Sequence, residues 1–184
     1  MNKFFHVSRS GELPPKLDLD TRHLEIVLRD DAPRSDHEIL GTLRNYFPMG
    51  YSQFGFGYLT EPFKYYSDEL GHGLIRHVYA IELVFELIRR LQYPLLPSRY
   101  TSFFGFETIE DALAFRTSIN HFACPIYKVE GQDHFKADMN LLLSGQSSIH
   151  ALSYANRYWN GEGSENPTWE YLLTHPVRVL ERVH

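Results

Sequence analysis

The sequence predicts a single α+β domain in which helices flank a mostly antiparallel or mixed β-sheet. Strand-like and helix-like segments are interspersed without regular βαβ alternation, and no internal repeat is visible. Of the 184 residues, 43% are hydrophobic and 22% are charged. A chain of this length and composition can bury a sizeable core, so we expect one domain over residues 1–184.

Segments rich in β-branched and aromatic residues are predicted as strands. The opening strand is Lys3–Ser8. A second is Thr101–Phe106, and a third is Ile126–Glu130, which follows Pro125. After Gly131 a short extended piece covers His134–Ala137. The tail adds extended structure around Tyr171, then Pro176 and a closing strand; a further short strand is predicted at Leu24–Leu28.

Helices are predicted where apolar residues recur every three or four positions. The clearest is Val78–Leu91, whose two apolar stripes predict a largely buried helix. Another begins at Thr108, which has capping-box spacing to Asp111. Further helices are expected at Glu38–Tyr46 and Ser148–Trp159. The aromatic, glycine-rich stretch Phe47–Tyr66 is predicted to be an ordered but irregular loop.

Charge and cysteine content narrow the possible classes of function. A net charge of −5 and a pI near 6.0 argue against general attraction to nucleic-acid phosphates. The only cysteine cannot form an internal disulfide, and we expect no secretion signal or membrane span, so a cytoplasmic protein is predicted. No metal site is predicted, since the spacing of His72 and His77 fits no common ligand pattern.

Three carboxylates and one histidine are candidates for chemistry. Asp138 directly follows an extended piece, where we expect it on a rim of the domain rather than in a core. Glu130 ends the third strand, and Glu170 precedes the closing strand. His6 lies within the opening strand, where a histidine is more often hydrogen-bonded and structural. The sequence contains no phosphate loop, GxSxG elbow or HExxH motif.

Four collinear stretches resemble the rifampin ADP-ribosyltransferase family. The stretches are FFHVSRSGELPPKLDLD, FFGFETIEDALAFR, IYKVEGQDHFKADMN and the tail YLLTHPVRVLERV. The resemblance implies a split β-sheet core and transfer of ADP-ribose from NAD, with release of nicotinamide. The four quoted stretches together contain 59 residues.

The resemblance also implies roles for individual residues. His6 would contact the adenosine side of NAD, and Asp138 would be the catalytic acidic residue, ranked ahead of Glu170 and Glu130. Phe104 stands where the family has a tyrosine that stacks on nicotinamide, and Val7 stands where it usually has glycine. Weaker candidates for NAD contacts near the same cleft are Ser8, Arg9, Ser102 and Tyr127.

Two segments are longer than the resemblance predicts. Residues 29–98 form an insertion between the first and second motifs, and Leu141–Trp159 follows the third motif. We expect these segments to reshape the side that receives ADP-ribose, so rifampin is not the expected acceptor. The acceptor, whether protein, nucleic acid or small molecule, is left open. The alternatives are an inactive NAD- or nucleotide-binding module, an NAD glycohydrolase and an RNA 2′-phosphotransferase.

Overall fold

The computed structural model describes residues 2–9, 11–19, 36–60, 65–67, 73–75, 78–143 and 147–184. The predicted strand at Leu24–Leu28 and the His72 and His77 pair lie outside these ranges. Within the described ranges, every helix is too short or too polar to cross a membrane.

The strands pair in antiparallel fashion throughout the described part of the chain. One sheet has the order β1-β6-β9-β2, a second has the order β5-β8-β7, and β3 pairs with β4. The strand bounds are β1 Asn2–Val7, β2 Lys16–Leu17, β3 Tyr65–Ser67, β4 Gly73–Ile75, β5 Ser102–Gly105, β6 Ile126–Gly131, β7 His134–Asp138, β8 Trp169–Thr174 and β9 Val177–Arg182.

The helices are α1 Asp36–Tyr46, α2 Gln53–Thr60, α3 Val78–Gln92, α4 Ile109–Ser118 and α5 Ser148–Trp159. Two short 3₁₀ helices cover Arg99–Thr101 and Met139–Leu141. The α+β prediction is confirmed, as are the predicted opening strand, the strands on either side of Gly131 and the helix at α5. The Thr108 cap is confirmed too: its Oγ1 accepts from the backbone N–H of Asp111 at 3.1 Å.

The two main sheets meet where β1 passes the end of β5. The backbone N–H groups of Phe5 and Phe106 each donate to the other's carbonyl at 2.8 Å. This bridge brings the middle of β1 beside the end of β5, and with it His6 beside Phe104. The meeting of the sheets therefore positions the site described below.

The largest core cluster lies where α3 and α5 pack near the β5-β8-β7 sheet. Phe85 of α3, Tyr158 and Trp159 of α5, and Leu172 of β8 are all almost fully buried. The indole N–H of Trp159 donates to the carbonyl of Phe85 at 2.7 Å, so its one polar atom is satisfied inside the core. Packing of α5 on α3 holds both helices against the sheet.

The prediction that Phe47–Tyr66 is an irregular loop is wrong. It contains α2 and the start of β3. Two glycines in α2 lower its intrinsic helix propensity, which hides it from a reading of local sequence. The position of Gly55 explains why this helix contains a glycine: a Cβ there would lie 1.9 Å from the carbonyl oxygen of Tyr100. The glycine lets α2 pack directly on the backbone of the Arg99–Thr101 turn.

The prediction of a largely buried apolar α3 also needs correction. Phe85 and Ile88 are buried, but Leu87 and Leu91 are 52% and 70% exposed. In their place α3 buries Glu82, Glu86 and Arg89. Buried charges must be paired: Glu82 accepts from Arg99, and Glu86 accepts from Ser98 and from Arg89 of the same helix. Ile149, near the start of α5, is exposed as well.

Candidate active site

One cavity of about 390 Å³ lies where the two sheets meet and where α2 and α3 cover them. Its polar lining comes from five elements or their flanks: His6 and Arg9 from β1 and the turn after it, Tyr58 from α2, Glu82 from α3, Arg99 from the 3₁₀ turn and Glu170 from β8. Its apolar walls include Phe54, Phe104, Phe106, Phe115 and Met139. Aromatic walls with a few convergent charged groups are typical of a small-molecule site.

His6 stands at one side of the cavity with a defined tautomer. Its Nδ1 lies 2.7 Å from the backbone carbonyl of Phe104. A carbonyl can only accept a hydrogen bond, so Nδ1 carries the proton and Nε2 carries the lone pair. Burial, assisted by the nearby positive charge of Arg9, lowers the pKa of His6 from 6.5 to about 4 despite this hydrogen bond. The ring is therefore neutral at physiological pH.

Glu170 also lines the cavity, where it is buried and held at one oxygen. Its Oε1 accepts from Nη1 of Arg99 and from the Tyr158 hydroxyl, the latter at 2.8 Å. Both side-chain hydrogen bonds that the described residues make to this carboxylate fall on Oε1, which leaves Oε2 for a ligand. Burial raises the pKa of Glu170, and the charge of Glu82 adds to the rise, although Arg99 opposes it.

Phe104 forms part of the cavity wall. Its ring lies under the guanidinium of Arg99, with 4.7 Å from the Arg99 Cζ to the ring centroid. The Phe54 ring meets it edge-on at 5.2 Å, and Arg9 in turn lies 5.9 Å from the Phe54 ring. The aromatic rings are thus fixed by packing and by cation–π contacts before any ligand binds.

Asp138 lies outside this cavity, contrary to its predicted position on a rim. It is 0% exposed. Its Oδ1 accepts from the backbone N–H groups of Asn140 and Thr168 at 3.0 and 2.8 Å, and its Oδ2 accepts from that of Ser164 at 2.7 Å. Burial acts to raise the pKa of Asp138, but these hydrogen bonds outweigh it and lower the pKa below 3.8. Its carboxylate organises the loops around it.

The other predicted residues divide between the cavity and the core. Arg9, like His6, Phe104 and Glu170, lines the cavity. Ser8 is fully buried and its hydroxyl donates to the Gly11 carbonyl, while the Ser102 hydroxyl donates to the Ser98 carbonyl. The remaining two also lie outside the cavity: Tyr127 of β6 packs in the core, and Glu130 Oε2 lies 3.6 Å from Arg178 Nη1.

Sequence reasoning missed Glu82, Arg99, Tyr58 and Tyr158. The available signal was in α3, where Glu82 and Glu86 are four residues apart and lie on the same side of the helix as the apolar position Phe85. Two carboxylates beside a buried helical stripe need cationic partners from elsewhere in the fold. The sequence did not show that Arg99, seventeen residues after Glu82, supplies one.

A second, larger cavity of about 490 Å³ lies between α1, α2 and α3. Its lining is mainly apolar and aromatic, and its charged residues, Glu86 and Arg90, bind each other at 2.6 Å. The charged groups there are thus already paired with each other. The smaller cavity contains the unprotonated Nε2 of His6 and the Glu170 carboxylate, whose hydrogen bonds to described side chains involve only Oε1. It is therefore the better candidate for an active site.

The comparisons with known proteins place the chain in one family. The model of the family described as "Protein of unknown function (DUF2441)" matches residues 55–184. Because this match covers well over half of the chain, the chain belongs to that family. The matched range includes Tyr58, Glu82, Arg99, Phe104 and Glu170 of the cavity. No curated protein matches the chain.

Proposed function

We propose that this protein is an NAD-dependent mono-ADP-ribosyltransferase whose site is the 390 Å³ cavity. The observation that carries the proposal is that His6, Phe104 and Glu170 line one cavity although they lie on three separate strands. A histidine, an aromatic ring and a carboxylate are the groups that the sequence resemblance implies for binding and cleaving NAD. The two antiparallel sheets, joined at Phe5 and Phe106, agree with the split core that the resemblance implies.

Glu170 takes the role of the catalytic carboxylate, which the sequence had assigned first to Asp138. Transfer breaks the bond between the ribose carbon and the nicotinamide nitrogen, and the bonding electrons leave with nicotinamide. Positive charge then develops on the ribose, and a fixed carboxylate nearby stabilises it. Glu170 has an oxygen available for this task. Both oxygens of Asp138 are occupied by backbone N–H groups.

His6 and Phe104 would hold the substrate in place. With its proton on Nδ1, His6 accepts a hydrogen bond through Nε2 from a ribose hydroxyl, and it stays neutral while doing so. The Phe104 ring offers a flat apolar face to nicotinamide, and the absence of a tyrosine hydroxyl leaves the stacking face intact.

The acceptor would enter beside the elements of the insertion. Phe54 and Tyr58 of α2, with Ile81 and Glu82 of α3, form the part of the cavity lining that comes from the helices. All four lie within residues 29–98, the segment expected to reshape the acceptor side. The transfer is complete when a nucleophile of the acceptor has formed a bond to the ribose carbon and has given up its proton. The acceptor remains a protein, a nucleic acid or a small molecule.

The test is nicotinamide release from NAD by purified protein, followed by chromatography and paired with calorimetry for NAD binding. Glu170→Gln removes the charge at nearly constant shape, and we expect it to slow release by roughly 100-fold or more. Glu130→Gln is the matched control, because Glu130 is a partly buried strand carboxylate outside the cavity. This control should release nicotinamide at the wild-type rate.

The outcomes separate the alternatives. Free ADP-ribose as the sole product would identify an NAD glycohydrolase, with water as acceptor. NAD binding without release, even after addition of a cell lysate as a source of acceptor, would identify an inactive binding module. Neither binding nor release by the wild type would refute the proposal.

A further inference from the structure

Glu170 belongs to a buried cluster of polar and charged side chains that come from four different elements. Arg99 is 4% exposed. Its Nε donates to Oε2 of Glu82 at 2.7 Å and its Nη2 donates to Oε1 at 3.1 Å, which makes a two-pronged pair. The remaining nitrogen, Nη1, donates to Glu170 Oε1 and to the Tyr158 hydroxyl, the latter at 2.6 Å.

This geometry leaves the guanidinium no freedom to turn. The fork with Glu82 sets the plane of the group, and a bidentate pair of this kind is directional as well as strong. The Phe104 ring lies 4.7 Å from its Cζ and the Tyr158 ring 5.5 Å. With Nε and Nη2 held by Glu82, Nη1 points toward Glu170 and the Tyr158 hydroxyl.

The cluster carries an excess of negative charge beside the cavity. Two carboxylates share one guanidinium, and all three groups line the cavity wall. Burying such a group costs desolvation free energy, and an apolar replacement of similar volume is often no less stable. Stability alone therefore gives no reason to place two carboxylates here. The need to stabilise positive charge on a bound substrate would be a reason to place two carboxylates at this cavity.

We propose that Glu82 and Arg99 are positioning residues for Glu170: Glu82 orients the Arg99 guanidinium, which holds Glu170 Oε1 and turns Oε2 toward the substrate. The catalytic meaning of this assignment rests on the proposed function. Glu82 comes from α3, so the insertion contributes to the orientation of the catalytic carboxylate as well as to the acceptor side.

The two residues should act on Glu170 in opposite electrostatic directions. The negative charge of Glu82 raises the pKa of Glu170, and the positive charge of Arg99 lowers it, while burial raises it. The hydroxyl of Tyr158 from α5 donates to the same oxygen. Other ionisable groups around the cavity are Tyr58, His6 and Arg9. These shifts test whether both charges act on Glu170, and turnover then distinguishes a positioning role from a purely structural one.

The experiment measures the pKa of Glu170 by NMR of the full-length protein with ¹³C-labelled glutamate carboxyls. The Glu170 signal is identified by its loss in Glu170→Gln. We expect Glu82→Gln to lower this pKa and Arg99→Gln to raise it. The control is Glu86→Gln, one turn further along α3, where the buried carboxylate binds Arg89, Arg90 and Ser98 instead. It should leave the pKa of Glu170 unchanged.

Turnover provides the second readout. With NAD as substrate, Glu82→Gln should reduce kcat by roughly tenfold or more with little change in KM, since it misorients a group that acts mainly in the transition state. The acid limb of its pH profile should move to lower pH. If Arg99→Gln does not fold, Glu82→Gln decides alone. An unchanged or raised Glu170 pKa in Glu82→Gln would overturn the assignment.

The two proposals fail in different ways. A wild-type protein that neither binds nor cleaves NAD refutes the transferase function whatever the NMR shows. A wild-type protein that cleaves NAD while Glu82→Gln leaves both the Glu170 pKa and kcat unchanged refutes the positioning role and keeps the transferase.

Discussion

Replacement of Asp138 by asparagine tests whether this residue serves the fold or the chemistry. The carboxylate accepts three backbone N–H bonds at 2.7 to 3.0 Å and is fully buried. Asparagine has one oxygen, and its amide nitrogen would face a second donor. At least one buried N–H loses its partner, and the other bonds lose their charged acceptor. Hydrogen bonds to charged groups contribute about 1.5–3 kcal/mol each, so we expect a loss of about 2–4 kcal/mol.

The assay is denaturant unfolding followed by tryptophan fluorescence, with Asp133→Asn as control. Asp133 is an exposed aspartate in the turn between β6 and β7, and its replacement should change the free energy of unfolding by less than about 0.5 kcal/mol. The pKa of Asp138 is lowered in the folded state, so its contribution is complete above its ordinary pKa of 3.8. It is lost as the pH falls through the lower folded pKa. The difference between variant and wild type should therefore shrink only in strong acid.

The same variant distinguishes the catalytic roles of Asp138 and Glu170. We expect Asp138→Asn, assayed under conditions where it is folded, to release nicotinamide within about threefold of the wild-type rate, since it removes no group from the cavity. A variant as stable as the wild type that has lost more than about 100-fold in release would refute the reasoning. It would return the catalytic role to Asp138.

Three further predictions concern the scaffold of the site. Gly55→Ala should destabilise the protein by about 1–3 kcal/mol, because the added methyl group would clash with the Tyr100 carbonyl. The control is Gly41→Ala in α1, where a Cβ meets nothing within 4 Å. This control should be neutral or stabilising in thermal unfolding. His6→Gln should remove a pH dependence of the free energy of unfolding. In the wild type, the contribution of His6 to this free energy is complete above pH 6.5. It falls by about 3 kcal/mol as the pH falls to about 4, because only the unfolded chain takes up the proton. Unfolding curves that show the same pH dependence in both proteins would contradict this. Thr108→Ala should cost about 0.5–2 kcal/mol through loss of the α4 cap, and a serine at the same position should restore most of it in the same unfolding assay.

Local signals in the sequence account for most of the elements. The α4 cap was predictable from Thr108 and Asp111 alone, since capping depends on residues three apart. The α5 bounds and the break at Gly131 follow from equally local patterns. The helix α2 was missed because the contact that favours it is not local in sequence. Gly55 allows close packing on the Arg99–Thr101 turn, which lies more than forty residues further along the chain.

The site divides in the same way. The sequence by itself determined an α+β domain, a strand histidine, an aromatic residue at Phe104 and a short list of carboxylates that contained Glu170. Only the tertiary structure decided among those carboxylates, because hydrogen bonding and burial depend on distant parts of the chain. It placed Asp138 among backbone N–H groups and Glu170 in the cavity. It also joined Glu82, Arg99 and Glu170, since a buried charge requires a partner and the fold, not sequence spacing, brings that partner into contact.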